Sequence, residues 1–288
     1  MPVIQTDTID VPGATLHFDV READVASGAP PLLLIGSPMD ASGFGTLASH
    51  FTDRTVITYD PRGVTRSVKD DPASASTPEQ HAEDLSRVID AAGAGPVDIF
   101  ASSGGAVNAL ALVAAHPEQV RTLVAHEPPA AQTVPDREQA LAAVLTTSER
   151  YRREGAGAGM GAFMGLVMHA GEFPADWTPA PPPPGMPMGE DDGRRDDPLL
   201  AQNLISCTHY EPDFDALRAA STRVVLAAGA EGRGTLANRA AHAVAERLGT
   251  EAVVFPSGHA GFLGGEFGMT GEPGAFAAKL REVLDGSE

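Results

Sequence analysis

The stretch Val97-Asp98-Ile99-Phe100-Ala101-Ser102-Ser103-Gly104-Gly105-Ala106-Val107 decides the fold. An apolar, β-branched run stops at small residues, and a helix-forming run, Ala106 to Ala115, begins at once. The pattern is that of a strand turning sharply into a helix with a serine at the apex. Such a turn crowds the backbone, so the positions two before and two after the apex must be small; Ala101 and Gly105 meet that condition around Ser103. The apex hydroxyl then stands clear of the sheet, beside a helix N-terminus whose free N–H groups can stabilise an oxyanion. A plain Gly/Ser turn in a Gly- and Ala-rich chain reads the same over five residues, so the flanking sequence has to decide.

Working outward, the N-terminal side supplies Val3 to Val11 and Thr15 to Arg21, two short strands joined at Pro12-Gly13. Pro31 to Ile35 is a continuous apolar run, as expected of a buried central strand, and ends in Gly36-Ser37-Pro38. A helical stretch near Phe44 to Phe51 and a strand from Thr55 to Tyr59 follow. Thr77-Pro78-Glu79-Gln80 starts a helix, with Thr as N-cap, Pro first and Gln third. On the C-terminal side, Val120 to Ala125 is a strand ending at His126-Glu127-Pro128-Pro129. From 131 to 215 the reading is helical, with Pro135 to Arg153, Ala156 to Ala170 and Pro198 to Tyr210 as helices around a proline-rich loop, Pro179 to Pro187. Strands return at Arg223 to Ala228 and Glu251 to Phe255. They alternate with helices at Thr235 to Leu248 and Pro273 to Leu284. The expected architecture is α/β: a mainly parallel eight-stranded sheet with helices on both faces. Residues 1–130 and 216–288 form its core, and 131–215 is a helical cap inserted after the sixth strand.

Composition bounds the chemistry. The chain has 288 residues, 42% hydrophobic and 20% charged, which suits a folded globular protein. Its net charge of −19 repels phosphate backbones and anionic lipid heads, so neither nucleic acid nor membrane is an expected partner. The one cysteine, Cys207, cannot form an internal disulfide, and no cysteine cluster suggests a metal. With no signal-peptide pattern at the N-terminus, the expectation is a cytoplasmic protein.

In a parallel sheet the working residues lie in loops past the C-terminal strand ends, where Ser37, Ser103, Glu127, Glu231 and His259 all fall. A serine hydroxyl is a weak nucleophile: it needs a base for its proton, and the base needs an acid to orient it. His259, in a Gly-flanked loop past the last strand, is the expected base. Among the other histidines, His81 and His242 read as surface-helix residues. His116 reads as a helix end, and His126 as a neighbour of Glu127 able to line a pocket. The acid has two candidates. Glu127 ends a strand abruptly and is stiffened by Pro128-Pro129, which favours it; Glu231 lies in the looser Gly229-Ala230-Glu231-Gly232. The oxyanion donors are expected to be the backbone N–H groups of Ser37 and Gly104. Gly36, Met160, Met164, Trp177 and Phe262 are candidates for substrate contact, against the plainer reading that they are core.

Together these residues resemble the α/β-hydrolase superfamily over nearly the whole chain: the Gly36-Ser37-Pro38 loop, the Ser103 elbow, the inserted helices and the late His259. The family's commonest acid is an Asp after the seventh strand, and this chain has Gly at the matching place. The resemblance therefore implies Glu127 as the acid, as in branches that carry it after the sixth strand. Ser102-Ser103-Gly104, His126-Glu127-Pro128-Pro129 and the single tryptophan Trp177 are similar to the zearalenone lactone hydrolases. Haloalkane dehalogenases share the acid position but use an Asp nucleophile, which Ser103 argues against. The expected activity is cofactor- and metal-free hydrolysis of a small-molecule carboxylic ester or lactone. Two alternatives remain open at the level of sequence: C–C bond hydrolysis by the same triad, and a non-catalytic ligand-binding protein on the same scaffold. The proline-rich loop fits ordering on a ligand or a contact between two copies in a homodimer.

Overall fold

The computed structural model describes residues 4–25, 27–179 and 191–286. Most of the Pro179-to-Pro187 loop therefore lies outside the described residues. The sheet has nine strands: β1 (Ile4–Val11), β2 (Ala14–Arg21), β3 (Leu32–Ile35), β4 (Val56–Tyr59), β5 (Val68–Lys69), β6 (Val97–Ser102), β7 (Val120–His126), β8 (Arg223–Gly229) and β9 (Val253–Phe255). Eight of them run in the order β1-β2-β4-β3-β6-β7-β8-β9, and β5 pairs with β2 off this path. The two-residue β5 is the strand that sequence periodicity could not show, and it shifts the count of later strands by one.

β1 and β2 are antiparallel, and from β4 onward each neighbour pair on the path is parallel. The all-buried patterns of β3 and β6 are what a parallel strand covered on both faces requires. On one face, α2 (Pro78–Ala91), α3 (Gly104–Ala115) and α7 (Leu236–Leu248) close over Leu33, Ile35, Ile99, Leu123 and Leu226. On the other, α1 (Gly45–Ser49) and α8 (Pro273–Asp285) close over Leu32, Leu34, Phe100 and Val124.

Helix α2 begins with the capping box read from the sequence: Thr77 accepts from the Gln80 N–H, and the Gln80 side chain accepts from the Thr77 N–H. His81 on this helix is not a surface residue. It is 1% exposed, on the face shared with Leu85 and Val88, and burial and the Arg62 and Lys69 charges push its pKa down to about 3.

Between β7 and β8 the regular elements among the described residues are helices, joined by irregular chain and without a strand of the main sheet. α4 (Arg137–Val167) is broken at Gly155, whose φ of 86° and ψ of −176° divide it where the sequence placed the gap between two helices. A π-helical turn (Pro198–Asn203), α5 (Leu204–His209) and α6 (Phe214–Ala219) return the chain to the sheet.

Candidate active site

Strand register brings the candidate residues together. Ser102 pairs with His126 across β6 and β7, and His126 pairs with Ala227 across β7 and β8. Ser103 and Glu127 are therefore the first residues past the ends of two adjacent parallel strands. The Ser103 N–H donates to the His126 carbonyl (3.0 Å) and the Glu127 N–H to the Ala227 carbonyl (2.9 Å). Ser103 then turns at φ 58°, ψ −129° into α3, and it is half-buried. Gly104 and Gly105 are glycines for want of space: a Cβ on Gly104 would lie 2.7 Å from the Ser37 carbonyl oxygen, and one on Gly105 2.8 Å from that of Ile35. Ser37 and Gly104, the expected oxyanion pair, thus lie side by side, with Gly36 against Gly105. The first N–H groups of α3 have no partner within the helix.

His259 reaches this point from the far side of β8. The loop after β9 runs along the end of β8, with the Glu231 N–H donating to the Ser257 carbonyl at 3.0 Å. Gly229 leaves room for it, since a Cβ there would lie 2.9 Å from the Gly258 backbone. Half-exposed at its ring, His259 sets Nδ1 2.6 Å from Glu127 Oε2, whose side chain is 1% exposed. Glu231 is on the surface, with its carboxylate 3.2 Å from the Ser257 hydroxyl, so of the two acids it is Glu127 that meets the imidazole. Among the described residues no hydrogen bond joins the Ser103 hydroxyl to His259.

The other Glu127 oxygen, Oε1, accepts from the Gly229 N–H and from the Asn238 amide, both at 2.9 Å. Burial alone would raise the Glu127 pKa. The hydrogen bond to His259, the His126 and His259 charges and the Asn238 amide outweigh it and bring the value down to about 2. Sequence reading missed Asn238: it lies 111 residues from Glu127, in the first turn of α7, and only the sheet order makes them neighbours.

His126 does not line a pocket. It is fully buried, stacked beside His259 (ring centroids 5.9 Å) and ringed by Phe100, Phe255, Phe262 and Phe276. Burial pushes its pKa down to about 4, and Nδ1 lies 3.3 Å from the Ser102 hydroxyl. Phe262, read as a possible substrate contact, is 3% exposed and packs on Phe44 and Phe276 in that aromatic core. Met160 and Met164 are half-buried on the second part of α4. Trp177, also half-buried, packs edge-on against Phe173 (5.4 Å). Cys207, on α5, lies 3.8 Å from the Gly104 carbonyl oxygen, so the inserted helices reach the elbow itself. Among the described residues no group of three or more His, Cys, Asp or Glu side chains could hold a metal ion. No described helix is long and apolar enough to cross a membrane.

Comparison with known proteins bears on the fold and the class of the chain. The sequence model of the alpha/beta hydrolase fold matches residues 32–199. An uncharacterized hydrolase of Bacillus subtilis (strain 168), YraK, is 30% identical over 266 residues, spanning 90% of this chain and 91% of the relative. Among solved structures, a thermophilic esterase from Thermogutta terrifontis superimposes with a TM-score of 0.66 at 21% identity, over 98% of both chains. The carboxylesterase CesB of Bacillus subtilis does so with a TM-score of 0.62 at 16% identity, over 99% of this chain and 93% of its own. The chain belongs to the alpha/beta hydrolase fold family and is an enzyme of the hydrolase class.

Proposed function

We propose that the protein is a serine hydrolase of small carboxylic esters or lactones, with Ser103 as nucleophile, His259 as base and Glu127 as the acid that orients it. The observation that carries this reading is the 2.6 Å contact between His259 Nδ1 and a buried Glu127, one strand away from a serine held at a strand–helix apex. With Nδ1 engaged, Nε2 is the nitrogen left to take the Ser103 proton. Such bonds are commonly long without substrate and tighten when it binds. Ser103 Oγ attacks the carbonyl carbon as its proton passes to His259, and Glu127 supports the imidazolium that forms. The carbonyl oxygen becomes an oxyanion facing the Gly104 and Ser37 N–H groups; one such donor contributes about 2.7–4 kcal/mol to lowering the barrier in enzymes of this kind. Collapse expels the alcohol with a proton from His259, and His259 then activates the water that clears the acyl-enzyme. A lactone opens by the same steps, its alcohol staying attached to the acid.

Residues 131–215 act in this reading as a cap that sets specificity, with the half-buried Met160, Met164 and Trp177 as the side chains proposed to meet the substrate. The esterase names of the structural neighbours, at 21% and 16% identity, agree with the substrate class without carrying it. The test is hydrolysis of short 4-nitrophenyl esters and of simple γ- and δ-lactones by wild type and by Ser103→Ala. Turnover that survives in Ser103→Ala contradicts the reading.

A further inference from the structure

The Glu127 carboxylate is held from one side by a residue that has no part in the proton transfer itself. Asn238 is 4% exposed and sits in the first turn of α7, behind the N-cap Thr235. Its side-chain nitrogen has two hydrogens, and both are used: one goes to Glu127 Oε1 (2.9 Å), the other to the Gly229 carbonyl oxygen (3.0 Å). The Gly229 N–H also donates to Oε1. Gly232 closes the remaining side, where a Cβ would stand 3.0 Å from the same oxygen. Oε1 is thus lodged between two donors, which leaves Oε2 directed at His259.

We propose that Asn238 is a positioning residue that fixes the rotation of the Glu127 carboxylate, and through it the aim of His259. This rests on the triad reading above. One N–H donor alone would leave the carboxyl group free to rotate about its last bond, and Gly229 supplies only that one. Asn238 adds the second point and ties it to the strand end that carries Gly229, so acid and His259 loop move as one body. The residue type is set by this double duty. Asp has the shape without the donors, Leu has the bulk without the donors, and Ser is too short to reach both acceptors. A purely structural role, satisfying the buried Gly229 carbonyl, would affect folding alone.

The experiment uses Asn238→Leu and the smaller Asn238→Ser in the full chain, each compared with wild type in two ways. The first is kcat and KM for 4-nitrophenyl acetate, with kcat expressed per serine titrated by a fluorophosphonate. The second is the low-field proton resonance of the His259 Nδ1–H···Glu127 bond, which does not depend on turnover. The expected result is a fall of about tenfold or more in kcat per titrated serine, as misplacement of a catalytic group produces, with KM within about twofold, and a displaced or broadened low-field resonance. A lower melting temperature with unchanged kcat per titrated serine and an unmoved resonance overturns the proposal. Wild type that takes no label at Ser103 would overturn the serine-hydrolase reading, and the resonance would still decide whether Asn238 governs the Glu127–His259 contact.

Discussion

Ser103, Glu127 and Ser257 have positive φ angles of 58°, 48° and 64° in a backbone region that residues with a side chain seldom occupy. Two of the three are proposed active-site residues, and the third begins the turn that delivers His259. Backbone strain of this kind costs on the order of 1–3 kcal/mol per residue and persists where surrounding structure over-determines it. Here the strand-end hydrogen bonds of Ser103 and Glu127 do that. Ser103→Ala should lower kcat on the order of 10⁴-fold or more while leaving the fold intact, measured as ester turnover beside a circular dichroism melt. Acid should act on the same residues through linkage. The folded Glu127 pKa lies below its ordinary value, at about 2, so its contribution to stability is complete above the unfolded value of about 4.5 and is lost as pH falls toward 2. His81 and His126, lowered to about 3 and about 4, stay neutral when folded although the unfolded chain takes up their protons near pH 6.5. Stability therefore falls as pH drops below about 6.5. Replacing His81 with Leu, which has no such proton to take up, should make the decline in melting temperature between pH 6.5 and 4.5 shallower than in wild type. An equal slope would show that the His81 environment does not keep it neutral.

At the scale of elements, strands and helices contribute positions and loops contribute reach. The elbow, the helix starts and the strands β3, β6 and β7 were legible because each has a local cause: an apolar run, a capping box, small residues around an apex. Glu127 and His259 were legible as residues because both follow strand ends, but their meeting depends on which strands are neighbours. The order β6-β7-β8-β9 is a property of the whole sheet. Asn238 was illegible for the same reason, since an asparagine in the first turn of a helix reads locally as polar surface. His81 was misread because a histidine on an amphipathic helix gives no local sign of which face it takes. β5 has two residues and no period to detect. The close pass of the His259 loop over Gly229 gives a prediction that belongs here. Gly229→Ala puts a Cβ 2.9 Å from the Gly258 backbone and should displace the loop. We expect kcat to fall by roughly tenfold to 100-fold, the range in which small misplacements of a catalytic group act, with little change in KM. Unchanged kcat in a crystal structure showing an unmoved loop would count against the tight fit.

Across the whole molecule, the ends of the sheet divide the labour. At the C-terminal strand ends lie the elbow, Glu127 and the His259 loop, with α5 against them at Cys207. Toward the opposite end, the fully buried Asp98 joins Arg54 and Arg121, at 2.6 Å each, and Arg121 also donates to the Leu284 carbonyl. That cluster ties the start of β6 to β7 and to the C-terminal helix. Removing its only carboxylate leaves a buried guanidinium unpaired, so Asp98→Ala should cost about 3–5 kcal/mol in urea unfolding. The rate of serine labelling in the folded fraction should stay within about twofold of wild type. A fall in labelling rate matching the loss of stability would mean that the two ends are not independent. In the segment that follows α4, Trp177→Ala should raise KM for bulky esters more than for acetate; equal effects would remove it from the substrate's surroundings.

The central claim is that Ser103 is a nucleophile activated by His259 with Glu127 behind it. The most direct measurement is peptide mass mapping after treatment with a fluorophosphonate. The account predicts stoichiometric label on Ser103, slowed strongly in Glu127→Gln and kept in Glu231→Gln. No label on Ser103 in the folded protein, or label that survives Glu127→Gln and vanishes in Glu231→Gln, would contradict it.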